Sequence, residues 1–181
     1  MTDLEQPEIA LRRAIAKDAN AIAEVYVASA QHHVTLAPDA YRVPEIEDVT
    51  AHYERILAEE GWAVFVAQTE TDGIIGSVEA RVAPPPAPHS MLRHRRVAHV
   101  GIAVLPDHRG SGVGRELMLA TEAWAAEHDV EAILLDMLSA NAAARRFYER
   151  LGYREFGTLL LKTVTNDVPW RRPFSVRSGQ G

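Results

Sequence analysis

Residues 104–115 read Val-Leu-Pro-Asp-His-Arg-Gly-Ser-Gly-Val-Gly-Arg and join an apolar strand-like run, residues 97–104, to an amphipathic run that begins at Val113. Gly110, Gly112 and Gly114 alternate along this joint. Alternate glycines leave backbone N–H groups unscreened by side chains, and a helix starting there adds the positive end of its dipole. Such a joint is suited to holding a phosphate. One glycine would satisfy a tight strand-to-helix turn, whereas three spaced by two exceed that need.

Toward the C-terminus, Val113, Leu117, Thr121 and Trp124 mark the buried face of a helix reaching about His128, and residues 132–138 form another apolar strand. Strand, crossover helix and strand make a right-handed unit, so these two strands are expected to be parallel. Asn141 is placed to cap a last helix with Ala144, Phe147 and Leu151 inward, and Gly152 stops it. Residues 153–164 read as a strand again, and the tail of residues 165–181 leaves room for one more short strand around 172–177.

Toward the N-terminus, residues 9–14 alternate apolar and basic side chains as a first strand, after which Asp18 opens a helix carrying Ile22, Val25, Tyr26 and Ser29 inward. Pro38 and Pro44 interrupt the pattern. A second helix over residues 45–60 aligns Val49, Tyr53, Ile56 and Leu57, and Gly61 ends it. Residues 62–68 and 74–82 are strand-like around the turn 70–73, which reads as an antiparallel hairpin. The prolines of residues 84–88 and the basic run 93–96 form an exposed connection, which a sharper reading places at the mouth of a substrate cleft. Together with residues 31–44 it is expected to shape that pocket.

The 181 residues fit one domain spanning 1–181, with residues 1–8 as a tail, and 47% hydrophobic with 24% charged residues suits a soluble globular protein. The net charge of −6 argues against a broad nucleic-acid surface. No cysteine is present, so any thiol chemistry must come from a ligand. The first eight residues lack a signal-peptide pattern and no run approaches a membrane span, which points to a cytoplasmic protein with no membrane partner.

Two familiar phosphate loops fail at defining residues. A Walker-type loop needs a lysine and a hydroxyl after its last glycine, and a dinucleotide fingerprint needs glycine where Arg115 stands. What matches is Arg109-x-x-Gly112-x-Gly114 preceded by Val104-x-Pro106, together with Asn141-x-x-Ala144-x-x-Phe147-Tyr148 running on to Gly152-Tyr153. These two motifs and the order of elements resemble the GNAT (GCN5-related N-acetyltransferase) superfamily. The resemblance implies a mixed, mostly antiparallel sheet with a parallel, splayed strand pair and helices on both faces, in an α/β acyl-CoA N-acyltransferase fold. It implies acetyl-CoA as donor co-substrate and a primary amine, on a small molecule or peptide, as acceptor. A homodimer is the family-based expectation.

By the same resemblance, Arg109, Gly110, Ser111, Gly112, Val113, Gly114 and Arg115 hold the pyrophosphate, and Ile102 and Val104 hold the pantetheine arm through their backbone. Asn141 and Tyr148 complete the cofactor site, with Tyr148 as the acid for the departing thiolate. Each has a packing alternative: a surface salt bridge for Arg109, a helix cap for Asn141, a core aromatic for Tyr148. The base stays open between His99, Glu79 and an ordered water. His99 comes first because imidazole titrates near about 6.5, whereas a carboxylate would need burial to rise that far. His32-His33 and the His89, His94 pair lack zinc-site spacing, so no metal is expected. The alternative function is a regulatory module that binds acetyl-CoA without turnover.

Overall fold

The computed structural model describes residues 8–161. Its elements run β1 (Ala10–Arg13), α1 (Ala19–Leu36), α2 (Ile46–Ala58), β2 (Trp62–Thr69), β3 (Gly73–Val82), β4 (Val97–Val104), α3 (Val113–Glu127), β5 (Ala132–Leu134) and α4 (Ala142–Arg150). The five strands form one sheet in the order β1-β2-β3-β4-β5. The first three pairings are antiparallel, and β4 pairs β5 in parallel, as a crossover through α3 requires.

Helices cover both faces. On one face, Ile22 and Ala23 of α1 and Val49, Tyr53 and Ile56 of α2 bury against Val64 and Val66. On the other, Val113, Leu117, Met118 and Trp124 of α3 pack on Ile75, Val78, Ala98 and Val100. The spacing of these α2 and α3 residues is the helical apolar stripe expected from the sequence. Asp18 and Arg12 lock the start of α1 to β1 through a short ion pair of 2.6 Å, with the Asp18 side chain almost fully enclosed. Guanidinium hydrogen bonding outweighs burial and holds the Asp18 carboxyl below the usual carboxylate range.

Two expected strands are corrected. The run 132–138 is paired only over Ala132–Leu134, whose register partners are Val97, Ala98 and His99. Beyond Leu134 the chain leaves the edge of β4, so residues 135–138 have no ladder to join among the described residues and instead line two neighbouring clefts. Residues 153–161 also form no strand, and Leu159, Leu160 and Leu161 are 89%, 93% and 87% exposed. Apolar β-formers supplied the strand pattern, but no neighbouring strand pairs with these residues among those described. The remainder of that expected strand and the possible tail strand lie outside the described residues. α1 runs on to Leu36, carrying His32 and His33 on its last turns.

Candidate active site

The early departure of β5 leaves the far half of β4 with an edge that is free among the described residues. Ala83 N–H donates to Val97 O and Leu105 N–H to Ile75 O, so odd-numbered residues of β4 direct their backbone polar groups to β3. By strand alternation, Ile102 and Val104 direct theirs to the other side, where β5 no longer runs. Arg109 Nε donates to Val104 O at 3.1 Å and takes up one of these groups. The rest of that edge can accept an extended ligand as an added strand would be accepted.

The edge leads into the glycine joint. Gly110 and Gly112 have φ of 80° and 95°, a left-handed backbone that turns successive amides toward one concavity. The first bond of α3 is Glu116 N–H to Gly112 O, so the amides of Val113, Gly114 and Arg115 precede the helical ladder and remain available. Gly114 answers a different demand. A Cβ there would lie 3.2 Å from Phe147 Cζ, so its bareness lets α4 close over the joint. The amides, the helix dipole and Arg109 and Arg115 make a fit for a pyrophosphate.

Asn141 Oδ1 accepts from Ala144 N–H at 3.0 Å, capping α4, and the same residue lines the cleft. α4 also carries Tyr148, whose ring lies 5.1 Å from Phe147 and 5.9 Å from Tyr153. Burial raises the pKa of its phenol, so it stays protonated at neutral pH.

A cleft of about 1070 Å³ gathers Ile102, Val104, Arg109, Gly110, Gly112, Gly114, Arg115, Asn141, Tyr148 and Glu79. His99 is not among its lining residues. It is exposed on β4 and faces a smaller cleft that shares Glu79. Glu79, on β3, is opposite Gly101 in register, and its Oε2 is buried without a hydrogen-bond partner among the described residues. Burial pushes the Glu79 carboxyl upward, while the facing Tyr53 hydroxyl holds part of that rise back.

Tyr53 is buried in the core as its stripe requires, whereas Tyr26, expected inward, is 42% exposed, and both line the large cleft, a place the sequence does not assign to them. Their rings meet edge to face at 6.3 Å, and Glu79 contributes to raising both phenols after burial itself. The usable signal was a phenol on each apolar stripe beside a glutamate in a strand, since buried hydroxyls and carboxyls need partners. His32 and His33 also line the cleft, with burial and then Arg109 lowering the His32 pKa. Residues 31–44 thus reach the cleft wall through Tyr41, Arg42 and Pro44, whereas Arg93–Arg96 of the basic connection line neither cleft.

A mixed sheet whose parallel pair opens beside an amide-rich helix start defines an acetyltransferase fold. The chain belongs to the acetyltransferase (GNAT) family, whose family model matches residues 17–153. N-acetyltransferase 8B of Homo sapiens is 26% identical over 113 residues, which make up 62% of this chain and 46% of that protein. The match thus spans less than half of that relative. A tetramutant of the BH1408 protein from Bacillus halodurans has a similar structure, with a TM-score of 0.77 at 24% identity, covering 86% of this chain and 99% of the other. Aminoglycoside N-acetyltransferase AAC(6')-Iy in complex with CoA has a TM-score of 0.67 at 18% identity, covering 90% and 99%. These two likenesses show the shared fold. No group of three or more His, Asp or Glu residues that could hold a metal ion occurs among the described residues, and no helix there is long and apolar enough to cross a membrane.

Proposed function

We propose that the protein transfers the acetyl group of acetyl-CoA to a primary amine by direct attack, with Glu79 as base and Tyr148 as acid. The observation that carries this reading is the meeting, in one cleft, of the open β4 edge, the α3 amides, the Tyr148 phenol and a buried carboxylate whose Oε2 has no hydrogen-bond partner among the described residues. When bound, acetyl-CoA supplies the thioester carbonyl and the thiolate that departs.

The chain's own residues supply position and protons. The amides of Val113, Gly114 and Arg115, with Arg109, hold the pyrophosphate, and the Ile102 and Val104 backbone groups align the pantetheine arm. Glu79 takes the amine's proton, directly or through one water. Burial raises its pKa, which strengthens it as a base. Tyr148 Oη holds the proton that the thiolate needs, and burial keeps that proton in place until charge develops. Glu79 replaces His99 as first choice because it reaches the cleft that Tyr148 lines and His99 does not.

A thiol-release assay over a panel of primary amines tests the reading. Amine-dependent release of CoA is expected, whereas tight CoA binding with no acceptor-dependent release from any amine would overturn it.

A further inference from the structure

Glu79 is reached from two directions. The large cleft arrives along the free edge of β4, and the smaller one, of about 440 Å³, arrives from the paired end of the strand. Among the described residues the two share Glu79, Val100, Gly101 and Asp136 and no others. An enzyme joining two substrates needs this arrangement, because each must reach the reacting point without crossing the other.

We propose that the smaller cleft is the acceptor channel and that it takes a small primary amine carrying an acidic group, of amino-acid type. The inference rests on the acetyl-transfer reading and names its acceptor class. Placement comes first. The donor's edge runs through Ile102 and Val104, while the smaller cleft lies around His99 and Leu134, the last register pair before β5 departs. A molecule there approaches Glu79 from the side the donor leaves open.

Charge comes second. The two acids of this cleft, Glu79 and Asp136, sit at the junction, where an amine must arrive. The charged group outside the junction, Arg81, is of the other sign. Arg81 and His99 are register partners on β3 and β4, so their side chains share a face, and the Arg81 guanidinium lies 5.5 Å from the centroid of the Trp62 ring. A guanidinium held over an indole and presented to a pocket is suited to a carboxylate. Trp62 and Pro84 supply apolar wall for the side chain of such an amino acid. A polycation would meet Arg81 at the outer end and be disfavoured there, so aminoglycoside-like acceptors, named for some proteins of similar fold, fit this cleft poorly.

The transfer balances with the groups named. The neutral amine nitrogen bonds to the acetyl carbon as the carbon–sulfur bond breaks, one amine proton passes to Glu79, and the thiolate takes one from Tyr148.

The test compares L-phenylalanine, phenethylamine and spermidine as acceptors at saturating acetyl-CoA, in the wild-type protein and in Arg81→Ala, Arg81→Lys and Arg81→Glu variants. The expected result is a kcat/KM for L-phenylalanine about tenfold or more above the other two. Arg81→Ala should remove that advantage, Arg81→Lys should keep part of it, and Arg81→Glu should turn the preference toward spermidine, all with an unchanged KM for acetyl-CoA. Turnover of phenethylamine or spermidine as good as that of L-phenylalanine, or a preference indifferent to Arg81, overturns the acceptor class and leaves acetyl transfer standing. CoA binding without release from any of the three or from the wider amine panel overturns both.

Discussion

Gly101 makes room for Glu79. A Cβ at position 101 would lie 3.3 Å from Glu79 Oε1 and 3.4 Å from its Cγ, so the carboxylate rests close against the bare backbone of β4 and any side chain there would push on it. The two residues are register partners across β3 and β4, which fixes the carboxylate at the junction of both clefts.

Gly101→Val should therefore displace the carboxylate and lower kcat by about 10²-fold, the lower range of what a positioned base contributes. CoA affinity should change little, since the amides of the glycine joint are untouched. Steady-state kinetics beside calorimetric titration of CoA checks the split.

Glu79→Gln should lower kcat by about 10²- to 10⁴-fold and remove the acidic limb of the pH–rate profile. In the wild type that limb should stand above the ordinary glutamate value of about 4.3, because burial raises the Glu79 pKa. Stability follows the same shift. A carboxyl whose pKa is higher folded than unfolded binds its proton more tightly in the native state, so its contribution is fully present below the unfolded pKa and lost as pH rises through the folded one. Glu79→Gln should flatten that fall and give a Tm at pH 7 no lower than wild type, as thermal melts across pH would show.

Tyr148→Phe should reduce kcat while leaving the CoA dissociation constant nearly unchanged, because it removes a proton donor and keeps the ring packed against Phe147 and Tyr153. Single-turnover measurements with saturating acetyl-CoA read the effect. Equal rates in the two proteins would assign the protonation to another group or to water.

Gly112→Asp combines two penalties. The residue sits at φ 95°, where an L side chain is strained, and its carboxylate would stand among amides suited to a pyrophosphate. CoA binding should fall by 10²-fold or more, with repulsion adding to a strain of about 1–3 kcal/mol. Circular dichroism confirms folding, and calorimetry that found wild-type affinity in a folded variant would displace the loop from the account.

Much of this was legible in the chain because local patterns and tertiary demands agree. The stripe Val113, Leu117, Thr121 and Trp124 is buried as its spacing requires, and the alternate glycines lie at the start of α3. Residues 132–138 misled because a short apolar run records burial and not pairing, and only the register shows that β5 stops at Leu134. The placement of Glu79 over His99 depends on a cross-strand partner some twenty residues away, Gly101, whose role no linear spacing announces. Tyr26 and Tyr53 read as core because helical periodicity reports which face is covered and is silent on what a hydroxyl meets there.

The most direct measurement is a crystal structure with CoA bound. The account predicts the pyrophosphate on the amides of Val113, Gly114 and Arg115, the pantetheine arm paired with the Ile102 and Val104 edge, and the sulfur between Glu79 and Tyr148. A sulfur lying away from both side chains, or a pantetheine arm that leaves the β4 edge unpaired, would contradict it.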